Sequence, residues 1–234
     1  MKALILAAGT ASRLRPLTSN TPKCLLRVGR RTLLQRSMDA LAEAGIREFV
    51  VVTGYLHGQI EDFIRQTYGD NISVRFIHNA LYESTNNIYS LWLARPEAEG
   101  EEVLLLDSDL LYDPQIAWRV LHTEQENILT LIRHPLGEEE MKVVTDAKGA
   151  SLAAGESLGI ERMGKAYTTA LYRELEPMML VEHLENKFYE LAFQRLIPQG
   201  HTFSVLDVTD LFSCELDTVE DFQNATRLIP PHLL

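Results

Sequence analysis

The sequence predicts an α/β protein with a mostly parallel central sheet and helices on both faces. Three observations carry this. Short apolar runs alternate with segments of helical periodicity, the rhythm of a parallel sheet joined by crossover helices. The first run stops abruptly at a glycine, and a later one runs straight into two aspartates.

Lys2 to Leu6 is the first strand, ending at Ala7-Ala8-Gly9 as a buried strand ends in a tight backbone turn. Thr32, with Gln35 three residues on, opens a helix whose Leu33, Leu34, Met38, Leu41 and Ala42 share one face; Gly45 closes it. Glu48 to Thr53 is a second buried strand, His57 to Tyr68 a second helix, and Val74 to Ile77 a third strand ending at His78-Asn79. Thr85 or Asn86 caps a helix with a stripe of Ile88, Leu91, Trp92 and Ala94. Val103 to Leu106 is a further strand, leading into Asp107-Ser108-Asp109.

From Asn127 the pattern changes. Ile128 to Ile132 reads as a strand, Met141 to Thr145 and Ser151 to Ala153 as a hairpin around Lys148-Gly149, and Gly155 to Ile160 as the lead into another strand. Leu171 to Leu184 and Lys187 to Leu196 read as helices, Phe203 to Val208 as a strand, and Cys214 to Asp217 as a short strand before a helix capped by Thr218 with Asp221. With no linker, repeat or low-complexity tract, one domain over 1–234 is expected, about 1–126 forming one half and about 127–234 the other. The tail from Pro230 to Leu234 reads either as a frayed end or as a contact with another subunit.

Composition narrows the function. A 46% hydrophobic and 24% charged chain of 234 residues has an ordinary globular balance. No run approaches the eighteen or so apolar residues of a membrane span, and the N-terminus lacks a signal peptide's apolar core, so a cytoplasmic location away from membranes is expected. A net charge of −11 without a basic stripe argues against a nucleic-acid partner. Cys24 and Cys214 are too far apart for a metal or redox motif and read as reduced thiols.

Against this acidic background, Arg13, Arg15 and Lys23 gather just beyond the first strand, where Gly9 can turn backbone N–H groups toward an anion. Cations at a strand's carboxyl end suggest a polyphosphate site. Two familiar phosphate loops are excluded by spacing: no Gly-Lys-Ser/Thr occurs, and Ala11 and Leu14 stand where a GxGxxG pattern needs glycines. Paired carboxylates at the end of a buried strand call for a cation, and oxygen ligands there suit Mg²⁺ carrying a nucleotide's phosphates.

The N-terminal stretch also resembles the signature of the nucleotidyltransferase superfamily that makes nucleoside-diphosphate sugars and CDP-alcohols. The match comprises Leu6 to Gly9, Ser12-Arg13-Leu14, Pro16-Leu17-Thr18 and Pro22-Lys23-Cys24-Leu25. Many members carry a second glycine where this chain has Ala11. The segment Asn86-Asn87-Ile88-Tyr89-Ser90-Leu91 is similar to a stretch of the bacterial choline-phosphate and 2-aminoethylphosphonate cytidylyltransferases, and CTP is therefore the expected nucleotide. The segments Glu139 to Val143 and Gly155 to Ile160 resemble the acceptor half of the superfamily, and Glu215 to Phe222 its second metal segment.

The resemblance implies a Rossmann-like sheet with a small acceptor-binding β/α subdomain. It implies Lys23 and Arg13 as catalytic residues and Asp109 and Asp217 as ligands of Mg²⁺. Nucleotide contacts are implied for Leu6, Ala7, Ala8, Gly9, Asn79, Thr85, Asn86, Asn87, Ser90 and Asp107, and acceptor contacts for Lys142, Glu156, Glu215 and Tyr89. The implied reaction joins CMP to a phosphorylated or phosphonated small alcohol or amine and releases pyrophosphate. A cationic head would also find aromatic candidates in Tyr112, Tyr167, Phe188 and Tyr189. Sugar or inositol 1-phosphate remains the alternative acceptor, and a nucleotide-sensing relative without activity is a third reading, which the presence of Arg13, Lys23, Asp109 and Asp217 disfavours. A monomer or homodimer is expected.

Overall fold

A computed structural model describes residues 1–133, 142–144 and 154–233. In chain order its elements are β1 Lys2–Ala7, β2 Arg27–Val28, β3 Arg31–Thr32, α1 Leu33–Glu43, β4 Glu48–Thr53, α2 His57–Tyr68, β5 Ser73–His78, α3 Asn87–Leu93 and α4 Arg95–Ala98. There follow β6 Val103–Asp107, β7 Leu110–Tyr112, α5 Pro114–His122, β8 Ile128–Ile132, β9 Lys142–Val144, β10 Ala154–Met163, α6 Lys165–Leu180, α7 Glu190–Leu196, β11 Ser204–Asp207, β12 Ser213–Glu215 and α8 Val219–Leu228.

The main sheet runs β11-β8-β10-β6-β1-β4-β5, with β9 against one end of β10. β1 pairs in parallel with β4 and β6, β4 with β5, and β8 with β11; β10 is antiparallel to β6, β8 and β9. Strands β8, β10 and β11 from the second half thus extend the sheet begun by the first.

Side chains alternate across each strand, so one apolar layer forms on each face. Ala3, Ile5, Phe49 and Val51 face α1, α2 and α5 through Leu34, Met38, Ile60, Ile64, Ile116 and Val120. Leu4, Leu6, Val50 and Val52 face α3, α6 and α7 through Ile88, Leu91, Leu171, Leu175, Phe193 and Leu196. A smaller third cluster joins Val28, Leu33, Leu111, Leu216 and Ala225. It seats the two-stranded pair of β7 and β12 beside the main sheet. Among the described residues no helix is long and apolar enough to cross a membrane.

Several expectations shift. The helix placed at Leu171 to Leu184 runs over Lys165–Leu180, because Gly164 opens it and Tyr167 and Thr168 already belong to its buried face. The next helix begins at Glu190 rather than Lys187, since the Tyr189 backbone N–H is taken by the Asn87 carboxamide oxygen at 2.9 Å. Helix α5 went unread, although Asp113-Pro114 is a strong start: Asp113 accepts from the Gln115 N–H, and proline needs no donor at the first helical position. Of the hairpin expected around Lys148-Gly149, the pairing of β9 with β10 is seen and residues 145–153 lie outside the described residues. The tail is not frayed: Leu233 is buried in the third cluster and its carbonyl accepts from Arg36.

Candidate active site

At the carboxyl ends of β1 and β6 the chain leaves the sheet in different directions and encloses a cavity of about 760 Å³. Leu6, Ala7, Ala8, Gly9, Ala11, Arg13 and Lys23 form one wall, and Asn79, Thr85, Asn86, Asn87 and Ser90 another. Asp107, Ser108, Asp109, Glu156, Ser157, Glu190, Glu215 and Asp217 bring in carboxylates and hydroxyls.

The glycine-turn wall is constrained by close packing. A Cβ on Gly54, just after β4, would stand 2.6 Å from the Ala8 carbonyl oxygen, and the Tyr55 N–H donates to that oxygen at 3.0 Å. Only glycine lets β4 pass this close to the loop. Among the described residues, no atom other than those of its chain neighbours lies within 4 Å of a Cβ built on Gly9. Ala11 adopts φ 46° and ψ 49°, the left-handed region, where many superfamily members use glycine. Its carbonyl is held by the Thr18 hydroxyl at 2.8 Å and the Leu14 N–H at 3.1 Å, contacts that hold this unfavourable conformation in place.

Lys23 is the electrostatic centre. Its ammonium donates to Asp109 Oδ2 at 2.8 Å and to Asp217 Oδ1 at 2.6 Å, while Arg13 donates to Asp217 Oδ2 at 2.7 Å. Burial by itself would lower the lysine's pKa, but the two carboxylates outweigh it and hold the group above its ordinary value. Burial pulls Asp217 upward and the two cations more than offset this, leaving it below the usual carboxylate value. These three residues come from β1's loop, the β6–β7 turn and the end of β12, so 86 and 194 residues of chain separate Lys23 from its two partners. Arg15, the third cation of the N-terminal stretch, is exposed and does not line the cavity.

The opposite wall is a framework of committed carboxamides. Asn79, 1% exposed, donates to Thr85 Oγ1 at 3.1 Å and Ser90 Oγ at 3.2 Å and accepts from the Leu81 N–H. Asn86 caps α3 through the Asn87 N–H, and Asn87 in turn holds Tyr189. The cap and the nucleotide contact expected of Asn86 are therefore compatible in space: it caps the helix and lines the cavity.

Deeper in, acids gather. Glu161 is fully buried on β10 and its pKa is pushed up to about 8 by burial and by Glu190. Burial lifts Glu190 to about 7, and its buried Oε2 has no hydrogen-bond partner among the described residues. Glu215 reaches about 8 through enclosure by the protein and the nearby Asp109, Asp217 and Glu156 carboxylates. Cys24, beside Lys23, is buried and its thiol is raised to about 12, which keeps it an unreactive thiol.

Of the catalytic, metal, nucleotide and acceptor residues that the resemblance implies, the cavity gathers all but two. Tyr89 does not line it and packs instead, half-buried, against the apolar layer of α3, α6 and α7. Lys142 pairs with Glu156 across β9 and β10, but its side chain lies outside what the structure describes. Tyr82, Ser157, Gly159 and Glu190 went unread in this role: Ser157 and Gly159 stand in the Gly155 to Ile160 segment but were not singled out, while Tyr82 and Glu190 belong to no motif and reach the cavity through long-range packing. Of the aromatics offered for a cationic head, Phe188 lines the cavity, whereas Tyr112, Tyr167 and Tyr189 are core residues.

Fold and cavity define an α/β protein with a cavity at the carboxyl ends of its parallel strands, where opposite charges converge on one point. Residues 2–140, more than half of the chain, match the family model described as Nucleotidyl transferase, and the chain belongs to that family. It is 41% identical over 110 residues to a choline-phosphate cytidylyltransferase of Streptococcus pneumoniae, an alignment covering 47% of this chain and 46% of that protein. It is 28% identical to a CMP-5'-(3-aminopropyl)phosphonate synthase of Streptomyces rubellomurinus, over 99% of this chain and 39% of the other. These alignments span less than half the length of either relative. A solved structure of CTP:phosphocholine cytidylyltransferase from Streptococcus pneumoniae superposes with a TM-score of 0.80 at 22% identity, covering 98% of this chain and 99% of that one, which shows the shared fold.

Proposed function

We propose that the protein is a CTP-dependent cytidylyltransferase. It would join CMP to a phosphorylated or phosphonated small alcohol or amine, of the phosphocholine or 2-aminoethylphosphonate type, and release pyrophosphate. The observation that carries this reading is the convergence of Lys23, Asp109 and Asp217 beside the Gly9 turn, inside a cavity of about 760 Å³. The names of the relatives support the choice of nucleotide and acceptor.

In this reading an acceptor phosphate or phosphonate oxygen attacks the α-phosphorus of CTP in line; the new P–O bond forms as the bond to the β-phosphate oxygen breaks. A phosphate acceptor needs no general base, since its second pKa is near ~6 and it is largely dianionic already. Catalysis is then positioning and charge neutralisation. Arg13 and the Gly9 turn face the departing phosphates, and Lys23 sits where charge builds between the α-phosphate and the acceptor.

Asp109 and Asp217 fit a hard divalent cation, because both aim a carboxylate oxygen at one point of positive charge, here the Lys23 ammonium. Mg²⁺ is commonly held by one or two carboxylates and completed by phosphates and water, so two aspartates are a fitting donor set for it. When bound, Mg²⁺ would supply further neutralisation of phosphate charge.

A sugar or inositol 1-phosphate acceptor is the second reading. Glu156, Ser157, Ser213 and Glu215 line a side cavity of about 160 Å³, a set of groups able to bind hydroxyls. The deciding experiment measures pyrophosphate release with Mg²⁺ for CTP, UTP, dTTP, ATP and GTP, each against phosphocholine, 2-aminoethylphosphonate, inositol 1-phosphate and glucose 1-phosphate. Turnover confined to CTP with a cationic acceptor is expected. Turnover with UTP, dTTP or GTP and a sugar phosphate would overturn the choice of CTP drawn from the Asn86 to Leu91 segment.

A further inference from the structure

One group of the acid cluster is linked to the cavity wall by an unbroken series of contacts. Strand β10 is irregular at its centre: opposite β8, Ser157 pairs with Leu131 and Glu161 with Leu129, so β10 carries extra residues between them. The irregularity contains Gly159 at φ 73°, where a Cβ would stand 2.8 Å from Asp107 Oδ2. The backbone of β10 is therefore pressed against the Asp107 carboxylate, and the same irregularity turns Glu161 into the interior at 0% exposure.

There, Glu161 Oε1 accepts from the Ser157 hydroxyl at 3.0 Å, and Glu161 Oε2 lies 3.4 Å from the Tyr189 hydroxyl. That hydroxyl lies 3.0 Å from Asp107 Oδ2. Tyr189 is itself fully buried. A phenol carries a single proton and can donate to only one of the two carboxyl groups. Together these contacts make one unbroken line from Ser157 through Glu161 and Tyr189 to Asp107. Packing alone would be served by an apolar side chain of similar size, since a buried carboxyl group is costly unless its hydrogen bonds are made.

We propose that Glu161 is a positioning residue for the nucleotide site, acting through the Tyr189 hydroxyl to fix the Asp107 carboxylate at the wall of the cavity. Glu161 is not itself among the residues that line the cavity. Its effect rests on the reading above that the cavity takes CTP, with Asp107 facing the nucleotide.

Steady-state kinetics with CTP and acceptor varied separately test it, alongside thermal melts. Glu161→Leu and Tyr189→Phe should each raise KM for CTP about tenfold, the loss of roughly one well-placed hydrogen bond, with kcat and the acceptor KM within about twofold of wild type. Glu161→Gln should keep KM for CTP within about threefold, because its amide can donate to the phenol oxygen and accept from Ser157. The pair Glu161→Leu with Tyr189→Phe should be no worse than either alone, since both cut one line. A Glu161→Leu protein that melts earlier with an unchanged KM for CTP would overturn the proposal, as would a Glu161→Gln protein as deficient as Glu161→Leu. If the leucine variant does not fold, Tyr189→Phe, which lacks only one oxygen, decides on the same readout. A wild-type protein that turns over CTP while all variants match it removes only the role of Glu161; a wild-type protein inert to CTP removes the functional reading with it.

Discussion

Lys23 makes the site's chemistry visible at the scale of a single residue. Its ammonium, only 12% exposed, sits between two carboxylates, and in the proposed reaction it would exchange those partners for phosphate oxygens. Lys23→Ala and Asp109→Ala should each lower turnover on the order of 10²-fold or more while leaving the fold intact, measured as pyrophosphate release. Near-normal rates in either variant would remove them from the machinery. Lys23, Arg13 and Asp109 were legible because short motifs mark them. Asn79 was legible as a position but not in its manner of acting: it is 1% exposed and its described bonds hold the 81–90 segment in place. Ala11 is the residue at which sequence and geometry pull apart, an alanine in a left-handed conformation usually given to glycine.

At the scale of elements, the site depends on where helices start. Thr218 caps α8 with a complete capping box: its hydroxyl accepts from the Asp221 N–H at 3.1 Å, and Asp221 accepts from the Thr218 N–H at 2.8 Å. Asp217 is the residue immediately before the cap, so the box also sets where its carboxylate stands. Thr218→Ala should cost about 1 kcal/mol of stability, read as a lower urea midpoint, and should also slow turnover by loosening Asp217 from Lys23. A destabilised variant with unchanged turnover would show that β12 alone fixes Asp217. The α8 cap could be read from spacing because capping is local. The start of α7 could not, because it is set by Asn87, 102 residues away in sequence.

For the whole molecule, the buried acids make stability depend on pH. The folded pKa of Glu161 is about 8 against an ordinary 4.5. Between those values the folded state holds a proton that the unfolded chain has released, so stability falls as pH rises through that window. Glu190 and Glu215 are shifted in the same direction and add to the trend. The melting temperature should therefore drop from pH 5 to pH 8.5, and Glu161→Gln, which does not titrate, should drop less. Equal drops in wild type and variant would mean that Glu161 is ionised throughout.

The sequence by itself determined the α/β class, the order of most strands and helices, and the residues of the glycine turn, the aspartate pair and the capped C-terminal helix. All of these follow from periodicity, caps and motifs that act over a few residues. Only the tertiary structure decided that β10 enters the sheet antiparallel between β6 and β8, and that Glu161 and Tyr189 stand behind Asp107. It also decided that Tyr89 packs against a helix layer and not against the cavity. The physical reason is that strand order and burial are set by which apolar faces meet across the whole chain. A carboxyl or phenol carries no local mark of the partner that such packing will bring to it.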